Sequence, residues 1–218
     1  MRAAAGLAAT LALAAAFAAT ATRAHDGENH AGSAEALAHL LAPEPGSASS
    51  GPEAPLPIPL GGAYALTDQH GARRTESDPD GRLQLIFFGY ASCQAICATA
   101  LPRMAEMARL LGEAGVAAAP VMITIDPARD TPEAMAAALP KYGGGLIGLT
   151  GAEVDLAAAR ALFRVEREVA FVDPELGPVY AHGSMIYLMD ADGGFLTFIP
   201  PILSLERGAE IAARYAGC

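Results

Sequence analysis

Two short apolar runs, Leu83-Gln-Leu-Ile-Phe-Phe88 and Pro120-Val-Met-Ile-Thr-Ile125, lie either side of a stretch with helical periodicity. Runs of this length and composition read as strands buried on both faces. Strands joined through a helix pair in parallel, with the helix as crossover. That helix is predicted from about Gln94 to Leu111, with Gly112 and Gly115 stopping it. Thr131 is placed to cap a second helix, with Pro132 at its first position. A short strand over Leu146–Leu149 and a helix over 152–163 follow. Ser184–Asp190, the turn at Asp192-Gly193-Gly194 and Phe195–Ile199 read as a β-hairpin, and Leu205–Tyr215 as a closing helix. Ahead of these, Ala63–Ala72 reads as half of another hairpin. The order predicts an α/β fold: a thioredoxin-like sandwich with an N-terminal β-hairpin and helices on both faces of a mixed sheet.

Cys93 and Cys97 sit where the first buried strand gives way to the first helix, with no charged side chain between Arg82 and Arg103. Backbone N–H groups left unpaired at a helix start, and the positive end of its dipole, favour thiolate over thiol. A spacing of four puts both sulfurs on one helix face, about one turn apart. The pair can close a disulfide or grip one soft metal ion. A parallel strand ending at Phe88 delivers both cysteines to one edge of the sheet, and an antiparallel strand from Ser184 begins at that edge. His182 therefore faces them, although 85 residues separate it from Cys97. Two thiolates and an imidazole suit Cu(I) or zinc. Structural zinc takes four protein ligands, and no fourth Cys or His is near, while a zinc site completed by water stays open.

Composition narrows the setting. Met1-Arg2, the apolar run Ala3–Ala21 and small residues ending at Ala24 read as a cleaved export signal over residues 1–24, or as a retained anchor. Either places the folded part outside the cytoplasm, in the periplasm or tethered to the inner membrane. The chain carries a formal charge of −10, and the first 24 residues contain two arginines and no acids, so the remainder is more acidic still. Without a basic cluster, nucleic acid is excluded as a partner. Residues 25–59 read as a tail and linker, with six prolines between positions 43 and 59. The folded domain is expected over 60–218. His25, Asp26 and His30 form either a solvated polar tail or an auxiliary copper-collecting one. His70 reads as an ordinary turn residue, Met104 and Met107 as core, and Cys218 as incidental.

The motifs Phe87-Phe-Gly-Tyr-x-x-Cys93-x-x-x-Cys97, Ile123-Thr-Ile-Asp126-Pro-x-Arg-Asp-Thr-Pro132, Ile147-Gly-Leu-Thr-Gly151 and His182 ahead of Tyr187-Leu-Met-Asp-x-Asp-Gly193 resemble the Sco/SenC family, in matching order over about residues 60–215. The resemblance implies a thioredoxin-like copper-binding protein that assists assembly of the CuA centre of cytochrome c oxidase. It implies copper, as Cu(I) or Cu(II), held by Cys93, Cys97 and His182, with Asp126 in a supporting place. The partners implied are cytochrome c oxidase subunit II or another copper acceptor, with a periplasmic copper donor and a thiol reductant. The chain departs from the family where Gln94 and Ala98 replace prolines and where Ala181-His182-Gly183 replaces Asp-His-Ser. The first change is expected to loosen the cysteine loop, and the second to remove a partner that orients the imidazole. The other function open to the same residues is a thiol–disulfide oxidoreductase acting on the acceptor, with Cys93 attacking and Cys97 resolving. Peroxide chemistry is disfavoured, since no threonine or arginine is placed around Cys93.

Overall fold

A computed structural model describes residues 53–216. The predicted signal, His25, Asp26 and His30, the linker before residue 53 and Cys218 lie outside the described residues. The elements are β1 (Ala65–Asp68), β2 (Arg73–Thr75), β3 (Leu83–Gly89), α1 (Ile96–Glu113), β4 (Ala118–Thr124), α2 (Pro132–Ala138), a 3-10 turn (Leu139–Tyr142), β5 (Ile147–Thr150), α3 (Glu153–Leu162), β6 (Arg167–Asp173), β7 (Gly177–His182), β8 (Ile186–Met189), β9 (Phe195–Ile199) and α4 (Leu205–Ala213). Seven strands form one sheet in the order β2-β1-β5-β4-β3-β8-β9. The β3–β4 and β4–β5 pairs are parallel, and β8 runs antiparallel to β3 with Leu85 opposite Leu188. The architecture is the expected thioredoxin-like sandwich.

Every residue of β3 is buried because both faces of the strand are covered. Successive side chains alternate between faces. Phe87 and Gly89 face the α1 side, where Cys97 lies. Phe88 points the other way, to Phe163 at the end of α3 (ring centroids 5.2 Å apart) and to Tyr187 of β8 (6.0 Å). Each large apolar side chain buried here gains roughly 1.5–3 kcal/mol over exposure, so the central strand is a rigid base for the loop that follows it. The segment before β1 lies against the domain, with the Glu53 amide donating to the Arg214 carbonyl and the Leu56 amide to the Leu196 carbonyl. Met104 and Met107 are buried in the core.

The strands β6 and β7 were not among the expected elements. They form a hairpin that pairs only with itself, closed by Asp173-Pro-Glu-Leu-Gly177. There the Asp173 carboxylate accepts from the amides of Glu175 and Leu176, both at 2.8 Å. Its signal was present in the sequence: an Asp-Pro turn ending in Gly, flanked by β-favouring residues. The burial pattern hid it, since β6 is almost wholly exposed and lacks the half-buried alternation of a sheet strand.

Two part-buried ion pairs tie the N-terminal hairpin and the approach to β3. Against the cost of burial, hydrogen bonds from Arg74 and the amides of Ala72 and His70 hold the Asp68 carboxyl below its ordinary value of 3.8. Asp78 is lowered in the same way by Arg82 and the amides of Arg82 and Asp80. A depressed folded pKa stabilises above the unfolded value and loses that stabilisation as pH falls through the folded value. The melting temperature is therefore expected to drop as pH falls below 3.8. Asp68→Asn should lower it at neutral pH and flatten that acid limb in circular-dichroism melts. An unchanged limb would show that other groups set acid stability.

Candidate metal centre

Three elements deliver the three predicted donors to one place. Cys93 lies in the turn between β3 and α1, Cys97 in the first turn of α1, and His182 at the end of β7. Their ligating atoms all lie within 4.8 Å of one another. The Cys97 sulfur is 3.8 Å from His182 Nε2. Both cysteines are buried and present as free thiols. This is the only grouping of three or more potential metal-ligating side chains among the described residues.

The start of α1 is open to an anionic sulfur. No side chain caps it and no acidic residue occupies its first turn, whereas Thr131 caps α2 and Ser204 caps α4. The Cys97 thiol donates to the Cys93 sulfur and lowers the Cys93 pKa well below its ordinary 9.0. His182 and the backbone N–H groups of Cys97 and Ala95 assist, against burial. Donation to Cys93, together with burial, pushes the Cys97 thiol up. Both shifts run toward thiolate at Cys93 and thiol at Cys97, the direction expected at a helix start. Gly89 makes room for the second sulfur: a Cβ there would sit 2.9 Å from Cys97 Sγ and 2.9 Å from the Phe87 ring.

The imidazole is oriented without a carboxylate. His182 Nδ1 lies 2.8 Å from the Gly183 carbonyl. A carbonyl oxygen only accepts, so Nδ1 carries a proton and Nε2 is the nitrogen that faces the sulfurs, an N–H donor to Cys93 in the charged ring and a lone-pair donor to a metal in the neutral one. With Ala181 where the family has aspartate, that carboxylate partner is absent, and this main-chain contact orients the ring. Phe87 meets the imidazole at 5.8 Å and Tyr90 at 6.2 Å, both nearly edge-on.

Asp126, expected in a supporting place, acts through Arg129. The buried Asp126 carboxylate accepts from Arg129 Nε. The same guanidinium donates to the Leu176 carbonyl and, at 2.6 Å, to the Pro178 carbonyl, both in the hairpin. It also lies over the Tyr90 ring at 5.2 Å and the Tyr180 ring at 5.9 Å. Arg129 therefore fastens the hairpin that bears His182 to the loop that follows β4. Sequence reading took Arg129 only as part of a motif, because its partners are two main-chain carbonyls that carry no sequence signature.

Two buried sulfurs and one half-buried imidazole, with ligating atoms within 4.8 Å of one another, form a soft, low-coordinate donor set suited to Cu(I), with zinc the other metal such donors accept. The fold and this cluster define a thioredoxin-like domain with a Cys–Cys–His donor triangle at its strand-to-helix turn. Residues 53–217 match the SCO1/SenC family, and the chain belongs to it. It is 36% identical over 140 residues to an SCO2-like protein of Rickettsia felis, covering 64% of this chain and 68% of that one. Among solved structures it is similar to Bradyrhizobium japonicum ScoI with copper bound, at 34% identity and a TM-score of 0.64, spanning 72% of this chain and 99% of the other. It is also similar to yeast Sco1 with copper bound, at 29% identity and a TM-score of 0.63, over 70% and 86% of the two chains.

Two expectations follow. Alkylation of the reduced protein should label Cys93 before Cys97 and keep its rate at pH values well below the ordinary thiol value of 9.0; equal labelling of both thiols would contradict the asymmetry. Gly89→Ala should leave the secondary structure intact while displacing the Cys97 sulfur. Soft-metal affinity should then fall by about tenfold or more, the equivalent of 1.4 kcal/mol. Wild-type affinity in that variant would mean the sulfur has room to move.

Proposed function

We propose that this protein is an exported copper chaperone. In its reduced form it holds one copper ion through Cys93 Sγ, Cys97 Sγ and His182 Nε2. It passes the ion by ligand exchange to an acceptor, the CuA centre of cytochrome c oxidase subunit II being the one its family membership favours. The observation that carries this reading is the convergence of two soft sulfurs and an oriented imidazole within 4.8 Å. Relatives whose structures hold copper support it. So does the export that the composition of residues 1–24 implies; no helix among the described residues is long and apolar enough to cross a membrane.

The order of exchange follows from how the donors are mounted. Cys93 and Cys97 stand on the main sheet and α1, whereas His182 ends a hairpin hydrogen-bonded into no other strand. His182 is the donor that leaves first when a competing thiolate arrives. The hairpin also exposes Val169, Phe171 and Val172, at 57%, 57% and 67%. Apolar residues left open along the hairpin that carries His182 suit an acceptor's docking surface. Glu166, Glu168, Asp173 and Glu175 flank them in sequence, where the one cation, Arg167, pairs with Glu153, and favour a basic rim on that partner.

Anaerobic Cu(I) titration of the reduced protein should give one equivalent bound tightly. His182→Ala should weaken it, and Cys93→Ser or Cys97→Ser should abolish it. No binding, or binding indifferent to all three changes, would refute the proposal. Val172→Asp should slow copper transfer to an acceptor without changing affinity.

The thiolate–thiol asymmetry favours a second reading, reduction of the acceptor's cysteines. The Cys93 thiolate attacks an acceptor disulfide, forming a mixed disulfide and releasing one acceptor thiolate. The Cys97 sulfur, once deprotonated, then attacks Cys93, leaving a Cys93–Cys97 disulfide and a fully reduced acceptor. Reductase turnover that ignores His182→Ala would favour this reading over the chaperone.

A further inference from the structure

The turn that carries Cys93 runs from Tyr90 and is closed by the Cys93 amide donating to the Tyr90 carbonyl at 3.1 Å. Its sequence offers little stiffness of its own. Ser92 and Gln94 are exposed, Gln94 and Ala98 follow the two cysteines, and α1 starts without a side-chain cap. Yet Ala91, two residues before Cys93, is buried and held at both of its peptide groups. Its N–H donates to the Asp130 carboxylate, at 3.0 and 3.3 Å to the two oxygens. That carboxylate is itself fixed by the Thr124 hydroxyl at 2.7 Å. The Ala91 carbonyl accepts from the Tyr142 hydroxyl at 3.0 Å, and Lys141 Nζ, from the single lysine in the chain, lies 3.4 Å from the same oxygen.

The two jaws of this grip belong to one short segment. Asp130 stands just before α2, and Tyr142 ends the 3-10 turn that continues it. The segment is itself seated on β5. The side chains of Leu139 and Met135 lie where a Cβ on Gly148 would be, 2.5 and 3.0 Å away. Asp130 and Tyr142 thus grip Ala91 from a base that does not depend on the cysteine loop. Ser92 does not adopt a positive φ. Rotating the Ala91–Ser92 peptide would drive this non-glycine residue toward the left-handed region and break the Tyr142 contact. One arrangement of the turn is therefore selected.

We propose that Asp130 and Tyr142 are positioning residues for Cys93: by holding the two peptide groups of Ala91 they fix the turn, and with it the sulfur's place in the donor triangle. The consequence for metal rests on the copper reading, whereas the restraint on the turn does not.

Tyr142→Phe tests this in the full-length protein, since it keeps the ring and removes only the donor. In the reduced, metal-free protein, NMR relaxation dispersion should reveal millisecond exchange at the Ser92 and Cys93 amides, with the β4 amides unchanged. Cu(I) affinity should fall about five- to tenfold, as expected for one lost hydrogen bond. The sulfur-to-Cu(II) charge-transfer band should shift or broaden. Asp130→Asn, which keeps an oxygen for the Ala91 N–H, should stay near wild type in these readouts, and Asp130→Ala should not. Wild-type dynamics at Ser92 and Cys93 in Tyr142→Phe would overturn the proposal, as would equal effects of Asp130→Asn and Asp130→Ala. Were the unmutated protein to bind no copper, the copper reading would fall, and the amide dynamics alone would decide the positioning role.

Discussion

The contact between Asp126, Arg129 and the carbonyls of Leu176 and Pro178 holds the two halves of the donor cluster in register. The sulfurs belong to the main sheet and α1, and the imidazole belongs to a hairpin outside that sheet. Asp126 is 2% exposed, and a buried carboxylate needs a charged or hydrogen-bonding partner. Arg129 meets that need with one nitrogen and leaves the others for the hairpin backbone, as a planar, multidentate cation can. Removing Arg129 would leave the buried Asp126 carboxylate without its charged partner, which destabilises the fold. The hairpin is therefore tied to the stability of the domain at the end away from His182.

Within the cluster, the sulfurs are unequal before any metal arrives. Cys93 collects the hydrogen bonds of the Cys97 thiol and of the α1 amides, and Cys97 is the donor. The same arrangement serves both chemistries open to the pair. A thiolate presented at an uncapped helix start is a good metal ligand and a good nucleophile. His182 is what separates the two, since disulfide exchange has no use for an imidazole oriented by the Gly183 carbonyl. Its edge-on packing against Phe87 and Tyr90 keeps the ring close to the sulfurs while the hairpin around it stays exposed.

Much of this was readable along the chain. The apolar runs of β3 and β4 named the parallel core, Thr131 and Pro132 marked the start of α2, and Phe195–Ile199 was recovered at its exact bounds. The antiparallel entry of β8 was enough to bring His182 to the cysteines. The hairpin β6–β7 escaped because exposed strands lack the apolar alternation that burial imposes, leaving only its Asp-Pro turn as a signal. Arg129, Lys141 and Tyr142 escaped for another reason. They act on main-chain carbonyls, which are the same at every position and leave no trace in residue type.

Side-chain chemistry and hydrophobic period determined, from sequence alone, a thioredoxin-like sandwich with two thiols at a strand-to-helix turn and an imidazole at the same edge. Those signals are local, since each is written in the residues that form the element. What only the tertiary structure decided is how the cluster is held. A backbone carbonyl orients His182 in the absence of the family aspartate, and a buried carboxylate and a phenol grip Ala91 ahead of the positions where the family prolines are missing. Such contacts join residues distant in sequence through polar groups common to every peptide unit, so only the folded geometry reveals them.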